Sequence, residues 1–161
     1  ERQIARLSSE KPVSDRLGAA VQAYQAAVDD FDREVARLLG INTTDARCLE
    51  ILIQETPDGV TPRELADGLG LTTGSATTML DRLEKVGYVT RSAHPSDRRK
   101  LLVHATETAR DRAFELIGPL VAEGQRTLLS RYSTKQLELI TEFLTSAAQL
   151  QREHVARLRG V

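Results

Sequence analysis

The chain has 161 residues, of which 40% are apolar and 28% are charged, and its formal net charge is −1. This composition is typical of a soluble globular protein that is long enough to bury a sizeable core. The near-neutral charge argues against a protein that coats nucleic acid by bulk attraction, and no apolar run approaches the ~18 residues that indicate a membrane-spanning helix.

The first predicted element is one long helix that begins at Val13 or Ser14 and ends at Leu39, before Gly40. Its apolar side chains recur at alternating steps of four and three residues, which is the heptad pattern of a helix that pairs with another helix. We therefore expect them to lie in a helix–helix interface. This apolar stripe consists of Leu17, Val21, Tyr24, Val28, Phe31, Val35 and Leu38.

A second helix is predicted over residues 44–54, with Thr43 or Thr44 as its cap. It carries Cys48, the only cysteine of the chain. A single cysteine allows no disulfide within the chain, which favours a reducing cytoplasm. The apolar neighbours of Cys48 indicate a small core residue, and a thiol that senses oxidants is the alternative.

The middle of the chain predicts a helix-turn-helix. Thr61-Pro62-Arg63-Glu64 combines a capping threonine, a proline at the first helical position and a glutamate three residues after the cap. Gly70 ends this helix, because a residue without Cβ turns left-handed at no steric cost. A second helix follows over about residues 73–86, with Thr72 or Thr73 as its cap.

The outward face of this second helix is rich in hydroxyl groups, and it presents Thr73, Ser75, Thr77, Thr78, Asp81 and Arg82. Hydroxyl groups and free backbone N–H groups near a helix start can bind phosphates or base edges. The alternative is an ordinary solvated face. Threonine is a mediocre helix former, so its abundance here favours recognition over scaffolding.

Two strands are predicted next, at residues 88–92 and 100–105, and a polar loop with Pro95 joins them. The loop spans about residues 92–100, and positive side chains gather at Arg91, Arg98, Arg99 and Lys100. Guanidinium groups on a narrow hairpin can enter a minor groove, and Asp97 can orient one of them through a hydrogen bond. The positive charge of this chain is therefore local.

Two segments together resemble the MarR family of transcriptional regulators. Asp97–Thr106 is similar to the family's wing signature, and Leu71–Arg91 is similar to its recognition helix and first wing strand. Ala105 stands where the family usually has leucine. The resemblance implies a mainly α fold with a small β-hairpin wing (α+β), in which a winged helix-turn-helix domain is flanked by long dimerisation helices.

The C-terminal region predicts two further helices. One opens at Thr106 and contains Pro119, which we expect to bend it. The other starts at the capping box Ser133-Thr134-Lys135-Gln136. We assign residues 1–40 to an N-terminal dimerisation helix, 41–106 to the DNA-binding domain and 107–161 to C-terminal dimerisation helices. The predicted dimer contacts are Leu17, Val21, Tyr24, Val28, Leu137, Ile140 and Leu144.

These features predict a homodimer that reads an inverted-repeat operator in double-stranded DNA, with its two recognition helices ~34 Å apart. The resemblance implies that such a regulator is most often a repressor. The predicted DNA contacts in the helix-turn-helix are Thr61, Arg63, Thr72, Thr73, Ser75, Thr77, Thr78 and Arg82. In the wing they are Arg91, Asp97, Arg98, Arg99 and Lys100.

No constellation of residues indicates an enzyme, a metal site or a cofactor, since the three histidines lack metal-ligand spacing. The resemblance implies a small aromatic effector, bound where the dimer helices meet the winged domain. Residue types that suit such a site occur at Tyr24, Phe31, Arg47 and His104. The rival reading is a winged helix that contacts protein instead of DNA.

Overall fold

The computed structural model describes residues 12–54, 59–97 and 100–160. The described chain is mainly helical with one antiparallel hairpin, which confirms the predicted fold class. A π-helical turn, Gly124–Leu128, and a 3-10 turn, Leu129–Arg131, precede the last helix. The main elements are α1 (Val13–Leu39), α2 (Thr43–Gln54), α3 (Pro62–Leu69), α4 (Thr73–Lys85), β1 (Val89–Ala93), β2 (Leu101–Ala105), α5 (Glu107–Glu123) and α6 (Thr134–Leu158).

The chain divides into two compact units, Glu1–Glu115 and Leu116–Val161. In the first unit, α1 ends as predicted at Gly40, whose left-handed φ of 72° lets its N–H reach the carbonyls of the last turn. Only the C-terminal part of α1 is buried there, at Val35, Ala36 and Leu39. The rest of the predicted apolar stripe is exposed or half-buried in the single chain.

The cap of α2 differs from the prediction. The helix begins at Thr43, and the side chain of Asn42 caps it by accepting a hydrogen bond from the Asp45 N–H at 2.8 Å. The Asn42 carbonyl accepts the first helical bond, from Ala46. The predicted caps Thr43 and Thr44 are therefore wrong, because asparagine one residue earlier already satisfies the free N–H.

The helix-turn-helix matches its predicted chemistry. Thr61 and Glu64 form a reciprocal capping box at the start of α3, and Gly70 ends that helix with a φ of 65°. Of the two predicted caps of α4, Thr72 is the one used, since its Oγ1 accepts from the Ser75 N–H at 3.2 Å. The helix ends at Lys85, one residue before the predicted end.

The wing is a two-stranded antiparallel hairpin, in which β1 and β2 pair with Arg91 opposite Val103. β1 lies one residue later than predicted, and β2 begins one residue later than predicted and ends at the predicted residue. Val60 forms a further antiparallel bridge with Val103, through two backbone bonds of 3.1 and 2.8 Å. The segment before α3 is thus tied to the middle of β2.

One continuous core joins α2, α3, α4, the wing and the start of α5. Met79, Leu80 and Leu83, on the inward face of α4, are fully buried in it. Ala105 is also buried in this core. The core includes Leu49, Leu52, Leu65, Leu80, Leu83 and Val103, and Leu69 packs against it.

In the second unit, the capping box of Ser133 and Gln136 starts α6 as predicted. No residue of α6 is buried, and most of its apolar side chains, Ile140 and Leu144 among them, are exposed. Pro119 lies inside α5, and the helix continues beyond it to Glu123. Within the described ranges no helix combines the length and the apolarity needed to cross a membrane.

Candidate nucleic-acid interface

The N-terminal half of α4 presents an exposed row of small polar side chains: Thr73, Ser75, Thr77 and Thr78. The Thr77 hydroxyl donates to the Thr73 carbonyl at 2.9 Å, and the Thr78 hydroxyl donates to the Gly74 carbonyl at 3.1 Å. Because these hydroxyl hydrogens turn back to the helix, each of the two threonines offers oxygen lone pairs and a methyl group. Such a surface suits base-edge amino groups and thymine methyl groups.

The start of α4 leaves room for a phosphate backbone to come close to the helix. The first amides of a helix have no intrahelical acceptors and favour an anion. Thr72 uses its side chain to cap the helix and also donates to Ser75 Oγ at 2.9 Å. A Cβ built on Gly74 would meet nothing within 4 Å, so space is free beside this turn. The geometry fits a phosphate group.

Arg82 lies further along α4 and is joined to α2. Its Nη2 donates to Asp45 Oδ1 at 2.7 Å and its Nε donates to Asp45 Oδ2 at 3.3 Å. Hydrogen bonding to Asp45 raises the pKa of Arg82 above its usual value. Half of the Arg82 side chain (49%) stays exposed, whereas the Asp45 side chain is buried.

Arg91 of β1 also contacts α4. Its guanidinium pairs with Asp81 at 2.6 Å and with Glu84 at 3.3 Å, and only 23% of its side chain is exposed. The two ion pairs connect the first wing strand to α4. This position lets Arg91 orient the wing, and its predicted DNA contact stays a prediction.

The described part of the wing loop is held by backbone bonds, from His94 N–H to the Lys100 carbonyl at 3.0 Å and from Lys100 N–H to the Asp97 carbonyl at 2.9 Å. Lys100 is exposed and Asp97 is half-buried. The two arginines predicted for the minor groove, Arg98 and Arg99, lie outside the described residues.

The first helix of the motif contributes two further predicted residues. Thr61 is occupied as the cap of α3, where its backbone N–H and its hydroxyl both donate to Glu64 Oε2. The Arg63 side chain is 92% exposed and lies 4.0 Å from Asp67, so it is free to reach a phosphate.

A groove of about 460 Å³ separates the start of α2 from α4, and we call it the α2–α4 groove. It brings together three predicted DNA contacts, Ser75, Thr78 and Arg82. Sequence reasoning missed its other wall, because α2 carried no DNA motif and Asn42 was not recognised as a cap. The groove is lined by Asn42, Thr44, Leu71, Gly74, Ser75, Thr78, Met79 and Arg82.

The residues predicted for an effector lie on α1, α2 and β2. Tyr24 is 65% exposed on α1, and Arg47 pairs with Glu50 on its own helix. Phe31 is half-buried. His104 Nε2 lies 3.1 Å from the Ser92 hydroxyl. None of the four lines the α2–α4 groove, and the effector site stays a prediction.

Cys48 is fully buried in the core. Burial, with the nearby charge of Asp45 as a second cause, raises the pKa of its thiol to about 12. Because the thiolate is the reactive form, this environment disfavours the oxidation-sensing alternative. Among the described residues, no group of three or more histidines, cysteines or carboxylates could hold a metal ion.

The capped helix pair, the exposed face of its second helix and the adjoining hairpin define a winged helix-turn-helix protein. The MarR family model matches residues 41–101. The uncharacterized HTH-type transcriptional regulator YcgE of Bacillus subtilis is 36% identical over 129 residues, which cover 80% of this chain and 82% of that protein. The chain therefore belongs to the MarR family of transcriptional regulators, as its motifs predicted.

Two solved structures share the fold. The DNA complex of MepR from Staphylococcus aureus has a TM-score of 0.58 at 19% identity and covers 82% of this chain and 96% of that one. CouR from Rhodococcus jostii, bound to p-coumaroyl-CoA, has a TM-score of 0.61 at 24% identity and covers 86% of this chain and 96% of that one.

Proposed function

We propose that this chain is a cytoplasmic repressor that binds an inverted-repeat operator as a homodimer and is released by a small-molecule effector. The observation that carries the proposal is the exposed N-terminal half of α4, whose polar row projects from a helix with a fully buried inner face. A helix anchored in this way can enter a major groove without losing its packing.

In the major groove, Ser75, Thr77, Thr78 and Arg82 contact base edges. Thr72 and Thr73 bind phosphate at the start of α4, where the free amides of the helix add favourable electrostatics. The turned-back hydroxyls of Thr77 and Thr78 favour thymine methyl groups and amino donors at the positions they read.

The wing reaches the adjacent minor groove. Arg98 and Arg99 insert there and Asp97 orients them, while Lys100 and Arg91 lie towards the backbone. Thr61 and Arg63 bind the backbone on the other side of the motif. These roles rest on the chemistry of the residues and on the position of the hairpin directly after α4.

Dimerisation is supported by apolar side chains that the single chain leaves uncovered. On α1 these include Leu17, Tyr24 and Val28, and on α6 they include Ile140 and Leu144. Val21 and Leu137 complete the proposed interface. The core of the helix-turn-helix is closed without these residues, so a second copy is the economical cover.

Effector release is supported by the small aromatic ligand class that the family resemblance implies and by the p-coumaroyl-CoA that CouR binds. A compound of this class would bind near Tyr24, Phe31, Arg47 and His104 and would favour a dimer whose two recognition helices are wrongly spaced. The named relatives are regulators, and we propose no catalytic role.

Selection from a random duplex library tests the proposal. Wild-type protein is expected to enrich an inverted repeat with half-sites about one DNA turn apart. Thr77→Ala and Thr78→Ala should each weaken binding to the enriched duplex. Thr141→Ala is the matched control, because Thr141 is also exposed and also donates to a carbonyl four residues earlier, on α6.

Enrichment of no duplex, or DNA retention that does not change with salt, would favour the winged helix that contacts protein. Genuine DNA binding should weaken steeply as salt rises, since phosphate contacts release counterions. Repression itself is tested by a reporter gene placed behind the enriched duplex, whose expression should fall when the protein is present.

A further inference from the structure

Asp45 places a buried charge behind the recognition helix. Among the described residues it is the one polar or charged residue that is buried, with 2% exposure. A buried carboxylate is costly unless donors surround it. Here both oxygens accept from one guanidinium, that of Arg82, which comes from 37 positions later in the chain.

The two contacts fix the plane of the Arg82 guanidinium. A carboxylate that accepts from two N–H groups of one arginine holds the flat group in a single orientation. The remaining N–H groups then point away from Asp45, on a side chain that is half exposed and lines the α2–α4 groove with Ser75 and Thr78.

Asp45 is itself well anchored. Its backbone N–H donates to the Asn42 side chain that caps α2, and three positions later Cys48 lies in the core. The carboxylate therefore has little conformational freedom. Through its two hydrogen bonds it restricts the Arg82 side chain as well. An arginine that is already ordered loses less conformational entropy when it binds.

We propose that Asp45 is a positioning residue for DNA recognition, which holds Arg82 so that its outward N–H groups meet the operator in the α2–α4 groove. This inference rests on the proposed function. Asp45 touches no DNA and acts only through Arg82. Discrimination between bases therefore depends on a residue of α2, whereas general attraction to DNA does not.

The test uses the variants Asp45→Asn and Arg82→Lys, alone and combined, in the full chain. Glu50→Gln is the matched control, because Glu50 is also a carboxylate of α2 that pairs with an arginine, but on its own helix. Affinity is measured for the duplex that wild-type protein enriches from a random library and for a scrambled duplex of equal length. Chemical unfolding checks that each variant is folded.

We expect Asp45→Asn to weaken binding to the enriched duplex about 10-fold, the scale of one oriented base contact. Binding to the scrambled duplex should change by less than about 2-fold, because phosphate contacts are unaffected. Arg82→Lys should change the two affinities in the same way, since lysine keeps the positive charge but lacks the planar guanidinium. The double variant should be no worse than either single one.

If Asp45 has only a structural role, folded Asp45→Asn should bind both duplexes equally weakly or with unchanged affinity. Wild-type affinity of folded Asp45→Asn for the enriched duplex, or an equal loss on both duplexes, would overturn the inference. If Asp45→Asn does not fold, Arg82→Lys decides, and wild-type discrimination by that variant overturns it. Should wild-type protein enrich no duplex, the proposed function fails first and takes this inference with it.

Discussion

At the scale of single residues, Gly59 leaves little room for a side chain. Its φ is +77°, and a Cβ there would clash with the His104 ring. The His104 ring meanwhile lies within hydrogen-bonding distance of the Ser92 hydroxyl, so moving the ring would disturb that contact. Glycine at this position lets the chain pass the wing and enter α3.

We therefore expect Gly59→Ala to lower the free energy of unfolding by more than about 1 kcal/mol, because strain and steric conflict add. Urea unfolding measures the change. Gly18→Ala is the control, since Gly18 lies inside α1 with nothing within 4 Å and should leave stability equal or slightly higher. An unchanged midpoint for Gly59→Ala would contradict this account of the turn.

Cys48 should be chemically silent in the folded protein. Its thiol is fully buried and its pKa is raised to about 12, so almost no thiolate exists at neutral pH. A thiol-specific chromogenic reagent should label it only after urea is added. Rapid labelling of native protein, or DNA binding that peroxide abolishes in wild type but not in Cys48→Ser, would restore the oxidation-sensing alternative.

At the scale of elements, Thr61 and Arg63 are both proposed contacts to the DNA backbone, but they differ in what they contribute to the stability of α3. Thr61 closes the capping box of α3, so Thr61→Ala should lower the free energy of unfolding by about 1 kcal/mol. Arg63 is almost fully exposed, and Arg63→Ala should leave unfolding unchanged but weaken DNA binding and reduce its salt dependence. The reverse pattern in urea unfolding and salt titration would show that the roles are misassigned.

Much of the fold could be predicted from local signals in the sequence. Caps such as Thr61 and Ser133 act over three residues, so spacing alone predicts them. Contacts between elements that are distant in the sequence could not be predicted. The pair of Asp45 with Arg82 joins residues 37 positions apart, and sequence spacing cannot tell which charge meets which partner across two helices.

The same limit applies to the candidate site. Sequence patterns predicted which face of α4 is exposed, because its polar residues do not occupy the positions that pack into the core. They predicted Arg82 and Arg91 as DNA contacts and did not indicate that both pair with carboxylates of the same unit. Only the folded arrangement reveals that these arginines also join α4 to α2 and to the wing.

At the scale of the whole molecule, the exposed apolar side chains of α6 lead to a prediction about assembly. Leu144→Glu should convert the dimer into monomers, since it buries a charge in the proposed interface. Leu139→Glu is the control, because Leu139 is exposed on the same helix but lies off the predicted stripe. Sedimentation measures both, and a dimeric Leu144→Glu protein would place the interface elsewhere.

The central claim is that two copies of the helix-turn-helix and wing read DNA as one symmetric unit. Hydroxyl-radical footprinting of the enriched duplex tests it most directly. We expect two equal protected regions related by a two-fold axis, with major-groove centres about one helical turn apart and minor-groove protection beside each wing. A single protected half-site, or protection without two-fold symmetry, would contradict the account.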